Sequence, residues 1–246
     1  MRIIFLGTNG WYDTQTGNTV CVLIETNSEY VILDAGYGFY KIEQYIKSLK
    51  PIYLFLSHFH LDHVCGFHIL NRFNFHQGID VYGPKGLEKF LKVLINQPFT
   101  AKLDDLKTEI RLHELKSTTT LPFPVLFKRL IHSTQCLGYR FLLENKAISY
   151  CTDTGICNNL NALAKEADLL IAECSYRSGQ KDEQWPHLNP EEAAGLAKET
   201  QAKKLALIHF DASIYTTLKD RKEAEREARK IFRNSFAVRD NQIFHL

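Results

Sequence analysis

The segment Ser57-His58-Phe59-His60-Leu61-Asp62-His63 places four side chains of metal-binding type within six consecutive residues. Residues 51–56 (PIYLFL) before it have the apolar, β-forming composition of a short buried strand. Residues 64–70 (VCGFHIL) after it can begin a helix, so the four side chains lie where a strand ends and a helix starts. This is a usual position for ligands in α/β folds. Imidazole and carboxylate groups at this spacing indicate a site for zinc, manganese or iron.

The spacing within the segment divides the four side chains between two ions. Residues two apart in an extended chain point to the same side, so His58 and His60 can bind one ion together. The tighter turn that follows can direct Asp62 and His63 to a second ion. A site with two ions needs more ligands than these four, so other parts of the chain must contribute.

Three strands elsewhere end in residues that could complete such a site. They are His132 after residues 127–131, Asp153 after residues 148–151, and His209 after residues 205–208. Side chains at the ends of apolar strands can reach a shared cleft. We therefore expect all three to lie beside the histidine-rich segment.

The composition predicts a folded protein and gives no sign of a charged partner. The 246 residues are 45% hydrophobic and 24% charged, and the net charge of +2 is too small to indicate nucleic acid or a membrane. No apolar run approaches the roughly 20 residues that span a bilayer, and the N-terminus lacks the pattern of a signal peptide. The six cysteines form no CxxC pair. Reduced thiols and a cytoplasmic location are therefore expected.

The order of the predicted elements indicates the architecture. Strands come first, strands then alternate with helices, and this order occurs twice without a linker or a change of composition. The pattern predicts two sheets packed face to face with helices outside, in a single domain covering residues 1–246. Helices are predicted at residues 39–49, 84–96 and 218–232, and residues 204–209 are predicted to form the final core strand.

Together these residues resemble the metallo-β-lactamase superfamily over nearly the whole chain. The resemblance implies an α/β fold of the four-layer αββα sandwich type. Further segments resemble ribonuclease Z and its phosphodiesterase relatives within that superfamily: residues 5–8 (FLGT), 34–36 (DAG), 81–87 (VYGPKGL), 150–154 (YCTDT), 172–176 (AECSY) and 187–189 (HLN).

The resemblance also implies the ligand set for two divalent cations, zinc first, with manganese or iron as alternatives. Three groups of residues divide between the ions: His58, His60 and His132 for one, Asp62, His63 and His209 for the other, and Asp153 as a bridge between both. Asp34 would orient a ligand histidine from behind. The cysteines close to these positions are not needed as ligands.

The implied chemistry is hydrolysis by a metal-bridging hydroxide. His187 is expected to protonate the leaving oxygen, and Glu173 is expected to fix the tautomer of His187. Asp62 is the third expected catalytic residue. The alternative for His187 is a surface histidine beside Trp185-Pro186.

Departures from ribonuclease Z limit the substrate. Leu61 stands where ribonuclease Z usually has glycine. In the tRNA-processing enzymes, an arm that binds tRNA is inserted in the sequence between the positions that correspond to His132 and Asp153. These two residues are only 21 positions apart here. We therefore expect a phosphodiesterase for small or cyclic nucleotide-type phosphodiesters. Alternatives are a tRNA 3′-processing endonuclease acting on an RNA 3′ end, a carboxylic ester, thioester or lactone hydrolase, and a non-catalytic metal or ligand sensor. Many relatives are dimers, so a homodimer is an open option.

Overall fold

Two large β-sheets form the centre of the fold in the computed structural model, which describes residues 1–246. The strands of the first sheet are β1 (Arg2–Gly7), β3 (Cys21–Glu25), β4 (Tyr30–Leu33), β5 (Ile52–Phe55), β6 (Ile79–Gly83), β7 (Ile110–Glu114) and β15 (Gln242–His245). The strands of the second sheet are β8 (Val125–Leu130), β9 (Cys136–Leu143), β10 (Lys146–Cys151), β11 (Leu169–Glu173), β12 (Leu205–Ile208) and β14 (Ser235–Ala237). The short strands β2 (Asn9–Gly10) and β13 (Phe210–Asp211) pair with each other. The spatial orders are β15-β1-β3-β4-β5-β6-β7 and β14-β12-β11-β10-β9-β8.

Short helices connect the strands and cover the outer faces of the sheets. The α-helices are α1 (Leu61–Val64), α2 (Leu87–Leu94), α3 (Asn158–Ala164), α4 (Pro190–Glu199) and α5 (Leu218–Ile231), and three 3-10 helices span Tyr37–Gln44, Cys65–Arg72 and Leu103–Asp105. Asn189 is the N-cap of α4 and forms a capping box with Glu192. The Asn189 side chain accepts from the backbone amide of Glu192, and the Glu192 carboxylate accepts from the backbone amide of Asn189. None of the helices is both long and apolar enough to cross a membrane.

The two sheets and the helices outside them form four layers, and three groups of buried apolar residues fill the spaces between these layers. Along β1, Ile3 and Phe5 belong to the group between the two sheets, whereas Ile4 and Leu6 belong to the group between the first sheet and its helices. Successive side chains of a strand point to opposite faces, and a strand covered on both faces is apolar throughout. The third group lies between the second sheet and helices α3, α4 and α5. The group between the sheets has 21 buried residues, the group under the first sheet's helices has 23 and the third group has 22, so no single interface dominates the core.

The structure differs from the sequence predictions in three places. The helix predicted at residues 39–49 is the 3-10 helix Tyr37–Gln44, and the one predicted at 84–96 spans only Leu87–Leu94. The first difference has a packing cause: an added Cβ at Gly38 would lie 2.6 Å from the backbone nitrogen of Gly7, so this segment is pressed against the end of β1. The third difference is that β14 and β15 follow the strand predicted as the last. Strand β15 pairs with β1 at the opposite end of the chain, and no local pattern reports such a pairing.

The parallel strands of both sheets end at the same side of the molecule. Strands β4 and β5 run parallel in the first sheet, as do β10, β11 and β12 in the second. Two hydrogen bonds tie the sheets together there, from the Tyr150 hydroxyl to Asp34 at 2.7 Å and from the Tyr139 hydroxyl to the Leu56 carbonyl at 2.5 Å. The residues that follow these strand ends therefore meet in one cleft.

Candidate metal centre

Three buried residues at the strand ends adopt a left-handed backbone conformation. Asp34 follows β4 with φ of +56°, Asp153 comes two residues after β10 with φ of +52°, and His209 follows β12 with φ of +54°. This conformation is uncommon for residues other than glycine, and it concentrates at functional sites because the surrounding structure must hold it in place. The three sharp turns mark the cleft as a functional site before its chemistry is considered.

The first group of side chains contains His58, His60 and His132. One nitrogen from each ring lies within 4.8 Å of the others, and His60 Nδ1 is 3.2 Å from His132 Nε2. His58 Nε2 is buried and has no hydrogen-bond partner. Burial lowers the pKa of His58 well below its ordinary value and that of His132 to about 4, so both rings are neutral and keep a free lone pair. Neutral imidazole is the form that binds a metal ion.

The second group contains Asp62, His63 and His209. Asp62 and His63 lie in the one-turn helix α1, which corresponds to the tight turn predicted after His60. His63 Nε2 is 3.1 Å from His209 Nε2, which is 3.3 Å from Asp62 Oδ2. Burial opposes the charged form of both rings, but the neighbouring carboxylates outweigh it and raise the pKa of His63 and His209. A divalent cation here would take the place of those protons.

Asp153 lies between the two groups. Its Oδ1 is 3.9 Å from His132 Nε2 in the first group, and its Oδ2 is 3.2 Å from His63 Nε2 and 3.3 Å from His209 Nε2 in the second. Burial would raise the pKa of Asp153, but His209 and His63 lower it well below its ordinary range. An ionised carboxylate with one oxygen toward each group, together with the unpartnered His58 nitrogen, fits a pair of divalent cations.

Further side chains hold the second group from behind. Asp34 Oδ2 accepts from His63 Nδ1 at 2.8 Å, and Asp34 also accepts from the Ser57 amide and hydroxyl at 2.7 and 2.8 Å. This confirms the prediction that Asp34 contacts a histidine of the site. The Ser175 hydroxyl lies 3.2 Å from His209 Nδ1. Such partners fix the orientation of a ligand ring and the nitrogen that it offers to a metal.

Glu173 and His187 form a hydrogen-bonded pair beside the first group, with Glu173 buried and His187 half-buried. The two carboxylate oxygens of Glu173 lie 2.9 and 3.0 Å from His187 Nδ1, and one of them also accepts from the Thr154 amide at 2.6 Å. Burial lowers the pKa of His187, but the Glu173 carboxylate outweighs that effect and raises it to about 9. A nitrogen of His187 lies within 4.8 Å of ligand atoms of His132 and Asp153. His187 is therefore part of the cleft rather than a surface histidine.

A cavity of about 330 Å³ opens above these groups. Its lining includes residues that sequence reasoning did not select, among them Gly10, Trp11, Tyr176, Trp185 and Asp211. Gly10 is required there, because an added Cβ would lie 2.5 Å from the ring of His209. Gly10 and Asp211 lie in the paired short strands β2 and β13, and Trp11, Tyr176 and Trp185 lie in loops. Their positions depend on contacts between distant parts of the chain, so their local sequence carries no signal of the site. No cysteine belongs to a ligand group, and all six thiols are unpaired.

The model of the beta-lactamase superfamily domain matches residues 29–210. The chain therefore belongs to the beta-lactamase superfamily, and within it to the metal-dependent hydrolases. Ribonuclease Z of Pyrococcus abyssi is 26% identical, over 85% of this chain and 86% of that protein.

Two solved structures share the fold. The metallo-beta-lactamase fold protein YhfI of Bacillus subtilis superimposes with a TM-score of 0.82 at 21% identity, over 99% of this chain and 98% of that one. The short form of human tRNase Z has a TM-score of 0.75 at 23% identity, over 100% and 99% of the two chains. These likenesses confirm the predicted αββα sandwich.

Proposed function

We propose that the protein is a phosphodiesterase that uses two metal ions, zinc in the first instance, to hydrolyse small or cyclic nucleotide-type phosphodiesters. The observation that carries the proposal is the Glu173–His187 pair beside Asp153, whose two oxygens face the two ligand groups. With two cations bound, such a cleft would offer positive charge for an anionic diester, and His187 beside it would offer a proton for the leaving oxygen.

The ligands would divide between the ions as the distances suggest. His58, His60 and His132 would hold one ion, Asp62, His63 and His209 the other, and Asp153 both. When bound, the two cations would activate a water molecule and neutralise the charge of the diester and of its transition state. Asp62 also accepts from the Trp11 amide at 2.8 Å, so its carboxylate is held in place from the loop side.

His187 would supply the proton that the leaving oxygen needs. The bond from phosphorus to the leaving oxygen breaks as the bond to the water oxygen forms, and the departing alkoxide is unstable unless it is protonated. Glu173 accepts from Nδ1 of His187, so Nε2 is the nitrogen that can deliver a proton into the cavity. Glu173 is completely buried, and its charge favours the protonated ring.

The size of the site supports a small substrate. The interval from His132 to Asp153 contains only the hairpin of β9 and β10, joined by a turn at Glu144 and Asn145. An arm that could hold a large RNA has no place there. A cavity of about 330 Å³ suits a nucleotide-sized ligand.

The second candidate is cleavage at an RNA 3′ end. It is favoured by the relative named ribonuclease Z, which matches most of the chain. In that case RNA would have to be held without an arm between β9 and β10.

A substrate panel tests the proposal. It contains bis(p-nitrophenyl) phosphate, cyclic nucleotides, a precursor tRNA and an acyl-thioester, each with Zn²⁺ or Mn²⁺. We expect hydrolysis of the small phosphodiesters. Rapid removal of the tRNA 3′ trailer would favour the second candidate, and hydrolysis of the thioester alone would exclude both.

His187→Ala tests the proton donor. We expect kcat to fall by about 10²–10⁴-fold on a diester with an alkyl leaving group and much less on a p-nitrophenyl diester, whose leaving group departs without a proton. Both metals should be retained, and His68→Ala, an exposed histidine outside the cavity, is the matched control. Full turnover of both diesters by His187→Ala would remove the role, and loss of a metal would make His187 a ligand instead.

A further inference from the structure

The two tryptophans of the chain, Trp11 and Trp185, both line the cavity above the metal centre. Their exposed fractions are 67% and 49%, although tryptophan is among the most apolar and largest side chains. Neither ring belongs to any of the three apolar groups that stabilise the fold. Two large rings left in water at the rim of one cleft indicate a surface that binds a planar group.

Trp11 is held at the rim by an unusual backbone. Its φ is +72°, a conformation that is an outlier for a bulky residue. Its amide donates to Asp62 Oδ2 at 2.8 Å, and the preceding Gly10 leaves no room for a side chain, since an added Cβ would lie 2.5 Å from the ring of His209. The backbone that carries the ring is thus held next to the second ligand group. Strain of this kind persists where the surrounding structure maintains it, and it is typical of ligand-binding positions.

Trp185 lines the cavity beside His132 and His187. The centre of its ring is 6.0 Å from that of His132 and 6.3 Å from that of His187. Its carbonyl accepts from the Tyr176 hydroxyl at 2.5 Å, and its amide donates to Asp182 at 3.1 Å. Its backbone is therefore tied on both sides, and its ring lies beside the first ligand group and the proton donor.

We propose that the two rings bind the two organic substituents of a phosphodiester, and that at least one substituent is a planar heterocycle such as a nucleobase. Trp185 adjoins His187, so it would stack on the leaving group. Trp11 adjoins Asp62 and His209, so it would stack on the substituent that stays on phosphorus. Stacking on an aromatic side chain is strong for any base, because every base has a π-face. This inference rests on the proposed function and adds the residues that bind the two substituents of the substrate.

Intrinsic fluorescence tests the inference without turnover, since all tryptophan emission comes from the cavity. The protein without substrate is titrated with adenosine 5′-monophosphate and, separately, with ribose 5-phosphate, which lacks the base. We expect the nucleotide to quench the emission at a concentration about tenfold or more below that of the sugar phosphate. Trp11→Phe and Trp185→Phe each leave one reporter, so the titration assigns the response to a ring. Equal responses to the two ligands, or none to the nucleotide, would overturn the inference.

Kinetics test the two assignments separately. For Trp11→Ala, the ratio of kcat/KM on bis(p-nitrophenyl) phosphate to that on methyl p-nitrophenyl phosphate should fall about tenfold, because only the first has an aromatic group that remains on phosphorus. For Trp185→Ala, kcat/KM should fall on both by a similar factor, because both lose the same leaving group. The phenylalanine variants should recover most of each loss. Phe99→Ala, which removes an exposed ring outside the cavity, is the control.

The two proposals fail in distinguishable ways. Hydrolysis of diesters with an unchanged ratio in Trp11→Ala would overturn the stacking role of Trp11 and leave the phosphodiesterase intact. No hydrolysis of any diester would overturn the phosphodiesterase, while the fluorescence titration still decides whether the cavity prefers a planar base.

Discussion

The two groups of metal-ligand candidates differ in the hydrogen bonds that hold their ligand side chains. In the second group, His63 Nδ1 contacts Asp34, His209 Nδ1 contacts Ser175, and Asp62 accepts from a backbone amide. The first group has one contact of this kind, in which the Ser57 hydroxyl lies 2.9 Å from His58 Nδ1. His132 Nδ1 is buried without any partner.

This contrast predicts two sites of unequal affinity. Hydrogen-bond partners behind a ligand fix its ring and raise its basicity, and their loss typically weakens metal binding by 10–100-fold. The second group has a carboxylate ligand of its own and a full set of partners, whereas the first has three histidines and one partner. We expect the second group to bind its ion more tightly and to retain it longer in a chelator. Asp153 is the one side chain on which both ions would depend.

Asp153→Asn should have the largest effect, because it removes the charge that faces both groups while keeping the shape. We expect kcat/KM to fall by at least about 10³-fold and the content of both metals to fall together, measured by elemental analysis of the purified protein. Asp168→Asn is the control, since Asp168 is also buried but binds Lys203 and the Ala147 amide away from the cleft. Loss of one metal alone would show that Asp153 belongs to a single group.

Asp34→Asn should separate the two groups. An amide cannot accept all the hydrogen bonds that Asp34 accepts, so the ring of His63 loses its partner. We expect the affinity of the second group to fall by about 10–100-fold, with a smaller change in the first, measured by stepwise competition with a chelator.

Ser175→Ala provides a milder version of the same test if Asp34→Asn folds poorly. It removes only the hydroxyl beside His209, so it should weaken the same ion by a smaller factor. An equal weakening of both ions by either variant would contradict the proposed inequality.

Asp80→Asn should have the smallest effect and tests a carboxylate that serves only the fold. Asp80 lies in β6 and accepts from Arg111 at 2.7 and 2.9 Å and from His113 at 2.7 Å. Burial would raise its pKa, but these bonds lower it below its ordinary value. The ionised form therefore stabilises the fold above the unfolded pKa of about 3.9, and the effect is lost as the pH falls through the lower folded pKa.

We expect Asp80→Asn to lower the free energy of unfolding by about 1 kcal/mol at neutral pH, since the group is partly exposed, and by less below about pH 4. Urea unfolding at both pH values, with and without chelator, measures this. A loss that depends on the chelator, or that persists in full at low pH, would contradict the assignment.

Much of the site could be predicted because its chemistry is local in the sequence. His58, His60, Asp62 and His63 lie within six consecutive residues, and each remaining ligand lies one or two residues after the end of an apolar strand. The backbone conformation of α1 follows from that spacing, and strand ends of parallel sheets meet at one edge. The 3-10 helix Tyr37–Gln44 could not be predicted from the sequence, because its form depends on close packing against β1 and the local pattern indicates an α-helix.

The sequence by itself determined the residue types, the strand–turn boundaries that carry the ligands, and the two-sheet order. Only the tertiary structure decided that Asp153 turns one oxygen to each group, that Asp34 lies behind His63, and that Trp11 and Trp185 share a cavity. The physical reason is that these relations join residues separated by tens to more than a hundred positions. Their distances depend on how two sheets pack and how loops are pinned, and no local pattern contains that information.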